Sequence, residues 1–480
     1  MTTSILQLLR QMITRLVAIV ASLVALMACA APAPARTETA ASTPVRGPAV
    51  DRGIHPEWSK NAVMYEVNIR QYTPAGTFAA FTKELPRIRA LGVDILWIMP
   101  VQPIGTLNRK GTLGSYYSIA DYTAINPEFG TEADFKAMVV AAHAQGFKVI
   151  LDWVANHTSH DHHWTREHRD WYTLHADGSL SRPIDPGGKE TDWTDVADLN
   201  YDSQPMRAAM IDEMRWWVDS TGIDGFRCDV AGFVPLDFWA DARAALLRAK
   251  PDLFFLAEWE DPKLHASFDM TYGWELFHLM NDVASGRKKA SEITSYFMGF
   301  ETKFPADAYR LNFTSNHDEN SWNGTEFERM GANHKAAFVL GATTAKSMPL
   351  LYSGQEASFN RRLPFFEKDS IDWSGPSLAD FYRSIFELRH TQDVLWNGQW
   401  GAPQTILTTS APDKVFAFVR SRGDKAVLVA TNFSDAPVTV TLDDPVITGT
   451  LTDWFTKSAV TLAARGTLDI PANGYRILVK

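Results

Sequence analysis

Eight short apolar runs recur along the chain, and all but one pair of them are separated by longer stretches that include helical patterns. The runs are Ala62–Arg70, Val93–Pro100, Lys148–Val154, Gly225–Ala231, Leu253–Trp259, Ala266–Tyr272, Arg310–Ser315 and Met348–Ser353. Their length and their apolar and aromatic character predict buried strands. Phe78–Leu91, Glu132–Gln145 and Met206–Ser220 carry apolar residues along one helical face and predict connecting helices. Strand and helix in alternation give parallel βα units, and eight such units predict an α/β fold, a closed (β/α)8 barrel over residues 57–392.

Two regions break the rhythm. Residues 158–204, between the third and fourth strands, are too many for a plain connection. They hold Trp164, Trp171, Trp193 and a Gly/Pro cluster at Pro183–Gly188, and predict a small inserted loop subdomain. His160, His162 and His163 lie here without metal-ligand spacing and read as solvated loop residues. After Asp393, short alternating runs appear with no long helix between them: Val415–Arg420, Ala426–Asn432, Val438–Leu442 and Tyr475–Val479. This pattern predicts a C-terminal antiparallel β-sandwich over 393–480.

The start of the chain has a different character. Arg10 and Arg15 flank the beginning of an apolar stretch, Leu16–Ala28, of signal-peptide length and short for a spanning helix. Leu26-Met27-Ala28-Cys29 resembles a bacterial lipobox, with Cys29 the lipidated residue and Met27 a departure from the commonest form. The expectation is a signal peptide over 1–29 and a membrane-anchored lipoprotein at the periplasm or outer membrane. Ordinary cleavage near Ala28–Ala31 and secretion is the alternative. Residues 30–56, rich in Ala, Pro and Thr, read as a tether.

Composition narrows the partners. The formal net charge is −10, which argues against nucleic acid, since polyanions are drawn to basic surfaces. Sixteen Trp suit stacking on the apolar faces of sugars, although most rings in a chain of this size serve the core. The two cysteines, Cys29 and Cys228, are poorly placed to pair, so no disulfide is expected and Cys228 reads as a buried thiol.

Chemistry concentrates at four predicted strand ends: Asp152–His157 (DWVANH), Gly225–Gly232 (GFRCDVAG), Phe255–Glu258 (FLAE) and Thr314–Asn320 (TSNHDEN). Carboxylates gathered at the C-terminal mouth of a barrel are costly unless they act on a substrate. Arg227 and Asp229, two apart in a strand, share one face, and the adjacent guanidinium is expected to keep Asp229 ionised. Glu258 closes an apolar run, a setting that raises a carboxyl and suits a general acid.

The order and spacing of these motifs resemble the α-amylase family of retaining α-glycoside hydrolases, across roughly residues 57–480. The resemblance implies Asp229 as nucleophile, Glu258 as acid/base and Asp318 as the third catalytic carboxylate, which binds sugar hydroxyls. It implies Tyr117 (in YYSIADY), His157, Arg227 and His317 as substrate-binding residues; Asp152, in the third strand, reads as orienting Arg227 or the loop. Many members follow the nucleophile with Ala-x-Lys-His, whereas Gly232 and Phe233 stand at the Lys and His places here. Asn156 and Asp198 (in VADLN) match two ligands of the family's structural calcium, so calcium is a possible structural ion, and catalysis needs no cofactor. The implied substrate is an α-1,4-glucan or maltooligosaccharide, hydrolysed through a covalent intermediate. An α-glucosidase or transglycosylase on the same machinery is the first alternative, and a non-catalytic glucan-binding surface protein the second.

Overall fold

The computed structural model describes residues 55–442 and 447–480. The expected signal peptide, tether and lipidation site at Cys29 lie outside them. Eight parallel strands close into a barrel: β1 Met64–Val67, β2 Ile95–Ile98, β3 Lys148–Trp153, β4 Gly225–Cys228, β5 Phe254–Ala257, β6 Met270–Tyr272, β7 Tyr309–Asn312 and β8 Ser347–Tyr352. Each strand pairs with its neighbour in chain order, and β8 returns to β1. Buried on both faces, these strands read as continuous apolar runs. All but β8 are shorter than the runs themselves, because residues past each ladder turn into the mouth. Asp229, Glu258 and Asp318 therefore sit just beyond strand ends. β4 approaches β5 so closely that a Cβ on Gly225 would lie 1.9 Å from the Phe254 carbonyl oxygen. Only glycine permits that contact.

The helices follow local signals. Thr131 and Asp134 form a capping box at the start of Glu132–Ala144. Ser203 caps Gln204–Thr221, and Gly222, at φ 74°, ends it in the left-handed conformation. The expected helix Phe78–Leu91 divides into Phe78–Thr82 and Leu85–Ala90, with Pro86 in the first turn of the second piece. Among the described residues no helix is long and apolar enough to cross a membrane.

Within 158–204, Val196–Asp198 pairs antiparallel with His157–Ser159, tying the insertion to the end of β3. His162 corrects the reading of solvated histidines: it is buried against the Tyr122 and Trp164 rings, and its Nδ1 accepts from the Trp164 backbone N–H at 3.2 Å. Burial lowers its pKa to about 3, so it is neutral.

The C-terminal domain has strands β9 Gln404–Leu407, β10 Val415–Arg422, β11 Lys425–Asn432, β12 Val438–Thr441, β13 Gly449–Asp453, β14 Ala459–Leu462, β15 Thr467–Ile470 and β16 Gly474–Val479. Six form one sheet in the order β9-β10-β11-β16-β13-β14, and β12 and β15 form a second. Alternation in β10 divides its side chains: Ala417 and Val419 face the sandwich core with Val440 and Leu468, while Phe416 and Phe418 join the barrel's core. Phe416 stacks on Phe297 of the helix Ser291–Lys303, centroids 5.6 Å apart.

Candidate active site

The C-terminal mouth of the barrel opens into a cleft of about 450 Å³ that contains Tyr117, His157, Asp229, Glu258 and Asp318. Lys110, Trp193 and Asp195 line it on the side of the inserted loops, where Lys110 pairs with Asp195 at 3.2 Å. Trp322, Phe365 and Phe366 also line it, and Trp322 is 53% exposed.

Arg227 organises the floor. It is fully buried, and its Nη1 donates to Asp152 Oδ1 at 2.8 Å and to Asp229 Oδ1 at 2.9 Å. Its Nη2 lies 2.8 Å from Glu258 Oε1, off hydrogen-bond alignment. Its Nε reaches the Tyr272 hydroxyl at 3.3 Å. Asp152 also accepts from Trp97 Nε1 at 3.0 Å and from the Tyr117 hydroxyl at 3.1 Å, so it orients the others from below.

The electrostatics of Asp229 differ from the expectation, while Glu258 is raised by burial as expected. Burial acts most strongly on Asp229 and raises its carboxyl well above the usual range; Glu258 adds to this and Arg227 opposes it. Burial also raises Glu258, against the pull of Arg227. Two raised acids beside one guanidinium hold a single proton more readily than none. When that proton sits on Glu258, its repulsion of Asp229 disappears, and Arg227 then stabilises an ionised Asp229. Arg227 alone does not set the charge state.

Val230 shapes the turn after β4. It adopts φ 36°, a left-handed conformation rare for a β-branched residue, and its backbone N–H donates to Glu258 Oε2 at 2.7 Å. Next to it, a Cβ on Gly232 would meet the Trp259 ring at 2.3 Å, so the indole lies against bare backbone. Phe233 stacks on Trp193 with centroids 5.8 Å apart and meets the Trp259 edge at 5.6 Å.

Asp318 is the most open of the three carboxylates, its side chain 36% exposed against 10% for Asp229 and 11% for Glu258. Burial works to raise its carboxyl, but the nearby His317 outweighs this and holds it below the usual range. His317 Nε2 lies 2.7 Å from the Tyr117 hydroxyl and 3.3 Å from Asp318 Oδ2. Its Nδ1 contacts Glu66, a buried acid of β1 that no sequence motif contains. Tyr117 stacks on both His317 and Phe365. The second histidine is the opposite case: burial lowers His157 to about 3 and leaves it neutral.

The expected calcium pair, Asn156 and Asp198, makes protein contacts of its own. Asn156 turns its Nδ2 toward His157 Nδ1 at 3.3 Å, and the Thr173 hydroxyl engages the Asp198 carboxyl, which burial raises to about 6. Among the described residues no group of three or more His, Cys, Asp or Glu could hold a metal, whereas calcium takes six to eight oxygens. Cys228 is buried and free, and burial raises its thiol.

A parallel eightfold barrel with buried carboxylates around one arginine at its C-terminal mouth, followed by a β-sandwich, defines a class of barrel with its site at the strand ends. The chain belongs to the α-amylase family: residues 51–372 match the alpha amylase catalytic domain. Residues 405–477 match the maltogenic amylase C-terminal domain. The chain is 29% identical to alpha-amylase MalA of Haloarcula japonica over 81% of its own length and 57% of that protein's. It is 32% identical to an alpha-1,4-glucan:maltose-1-phosphate maltosyltransferase of Rhodospirillum rubrum over 56% of its own length and 41% of the relative's. It thus spans about half the length of these two relatives. The crystal structure of a noncanonic maltogenic alpha-amylase, AmyB of Thermotoga neapolitana, superimposes with a TM-score of 0.80 at 28% identity, covering 88% of this chain and 99% of that one.

Proposed function

We propose that the protein is a retaining hydrolase of α-1,4-glucosidic bonds in starch, glycogen or maltodextrins. The observation that carries this reading is the contact of one buried guanidinium, Arg227, with both Asp229 and Glu258. That shared partner keeps the two carboxyls close, and retention needs them about 5–5.5 Å apart. Asp229 attacks the anomeric carbon while Glu258 gives its proton to the departing glycosidic oxygen, leaving a glycosyl ester on Asp229. Glu258, now a carboxylate, takes a proton from water, the water oxygen bonds to the anomeric carbon, and Asp229 is released. Asp318 accepts from sugar hydroxyls, with Tyr117 beneath the ring and His157 and His317 beside it. No cofactor enters either step.

A second reading rests on the aromatic surface made by Trp193, Phe233 and Trp259. Trp193, the member of this surface that lines the cleft, gives a second sugar an apolar face to stack on. A sugar hydroxyl intercepting the same intermediate would make the enzyme a transglycosylase, an activity class named in the maltosyltransferase relative.

The test is digestion of starch, maltotriose, pullulan and trehalose with products sized, and proton NMR of the first product formed. Cleavage of starch or maltotriose with the α anomer appearing first supports hydrolysis with retention, and products longer than the substrate support transfer. A β anomer first overturns the mechanism; glucan binding without turnover supports the non-catalytic alternative.

For location, we propose export and lipid anchoring at Cys29, on the strength of Leu26–Cys29 and the tether after it. Labelled palmitate should mark the wild type and not Cys29→Ser. Unlabelled, soluble wild type with a mature N-terminus beyond Cys29 overturns the anchor.

A further inference from the structure

Glu66 is fully buried in β1, below the cleft and outside its lining. Its Oε1 contacts His317 Nδ1 and lies 3.4 Å from the His317 backbone nitrogen, while its Oε2 has no hydrogen-bond partner. A buried carboxylate with an idle oxygen is expensive to keep, and nothing in the reaction outlined above uses it.

Hydrogen counting shows what it does. Tyr117 has one hydroxyl proton and gives it to Asp152 Oδ2 at 3.1 Å. Burial raises the Asp152 carboxyl, but Asp152 already receives hydrogens from Arg227 and Trp97, and by this hydrogen-bond pattern it acts as an ionised acceptor. The Tyr117 oxygen must then accept from His317, so Nε2 carries a hydrogen. Nδ1 faces the Glu66 oxygen, and Nε2 also faces Asp318 Oδ2 at 3.3 Å. With a carboxylate oxygen at each ring nitrogen, the imidazolium is the form that offers an N–H to both.

We propose that Glu66 is a positioning residue for the sugar-binding carboxylate Asp318, acting through His317: it holds His317 doubly protonated, with Nε2–H fixed toward Asp318 and Tyr117. This rests on the reading of the cleft as a glucan site. Without the Glu66 charge, the ring can lose the Nδ1 proton or carry its single hydrogen there. In the second case a bare Nε2 lone pair faces Asp318, which loses the His317 donor and is left with the Trp322 side chain.

The surrounding charges set the sign. Asp318 and Glu66 favour the imidazolium, and burial opposes it. Burial raises the Glu66 carboxyl, with Asp152 adding to this from β3, while His317 and Arg227 pull it down, and Glu258 senses His317 from beyond β5. Tyr272 and Tyr352 face Glu66 from β6 and β8, and Tyr117 faces the ring. Removing the Glu66 charge leaves Asp318 as the one carboxylate in contact with the ring. His317 then loses its proton at lower pH.

The test uses the full chain and Glu66→Gln, with α-maltosyl fluoride as substrate, whose departure needs no proton from Glu258 and so leaves His317 to set the alkaline limb. The alkaline limb of kcat/KM should move to lower pH by about one to three units, the size of a contact charge effect, while the acidic limb stays. Glu66→Asp, which keeps the charge, should recover part of the shift. Superimposable profiles of wild type and a folded Glu66→Gln overturn the proposal. Nitrogen-15 NMR of His317, assigned by its loss in His317→Gln, gives a readout independent of turnover and of whether Glu66→Gln folds. Wild type should show two protonated ring nitrogens at pH 7; one bare nitrogen overturns the proposal. A wild type inactive on glucans would sink the functional reading and leave this NMR result to decide the inference.

Discussion

The backbone N–H of Val230 donates to the Glu258 carboxylate at 2.7 Å, from a residue held at φ 36°. Left-handed backbone at a β-branched residue costs about 1–3 kcal/mol. The turn accepts that cost while carrying the chain from Asp229 across to Glu258, so nucleophile and acid are joined by one backbone hydrogen bond as well as by Arg227.

Replacing Glu258 by Gln keeps an acceptor for Val230 and removes the acid. Turnover of starch should fall about 10²–10⁴-fold. α-Maltosyl fluoride, whose leaving group needs no protonation, should still glycosylate Asp229, and added azide should speed its turnover by replacing the unactivated water. Steady-state rates on both substrates check this; equal losses on the two would remove Glu258 from the acid role.

Gly232→Ala should disturb the acceptor side without touching the carboxylates. The new methyl must displace the Trp259 ring and with it the Phe233 contact. Longer products formed from maltotriose should decline relative to hydrolysis products, with the anomeric outcome unchanged. An unchanged product ratio would show that this aromatic surface does not hold the second sugar.

Acid stability tests the buried histidines. His162 has a pKa of about 3 in the fold and about 6.5 when unfolded. Between those values the unfolded chain binds the extra proton, so the stability His162 confers is complete above about pH 6.5. It falls as pH drops toward 3, by about 1.4 kcal/mol per pH unit. His162→Phe should flatten the pH dependence by that amount in denaturant titrations, whatever it does to stability at pH 7. An unaltered slope would show that His162 is not buried neutral.

The barrel strands were legible because burial on both faces writes them as unbroken apolar runs. The carboxylates were legible because each lies in a motif beside its strand, as Asp229 does beside Arg227. Glu66 was not: it is a lone acid inside an apolar run, and its partner His317 is 251 residues away. Phe365 likewise enters the cleft from a loop with no local pattern, and Trp322 from the helical turn Glu319–Asn323, just past the last motif. In the sandwich, β9, β13, β14 and β15 went unseen because short strands with few buried positions leave little alternation to read. His162 misled because a histidine-rich loop looks solvated until its neighbours Tyr122 and Trp164 close over it.

The account's central claim is a glycosyl ester on Asp229, and trapping it is the most direct measurement. Glu258→Gln mixed with α-maltosyl fluoride, quenched in acid, digested and analysed by mass spectrometry should show a maltosyl adduct on the peptide carrying Gly225–Gly232, with fragmentation placing it on Asp229. Consumption of the fluoride with no adduct, or an adduct on any other residue, would contradict the account.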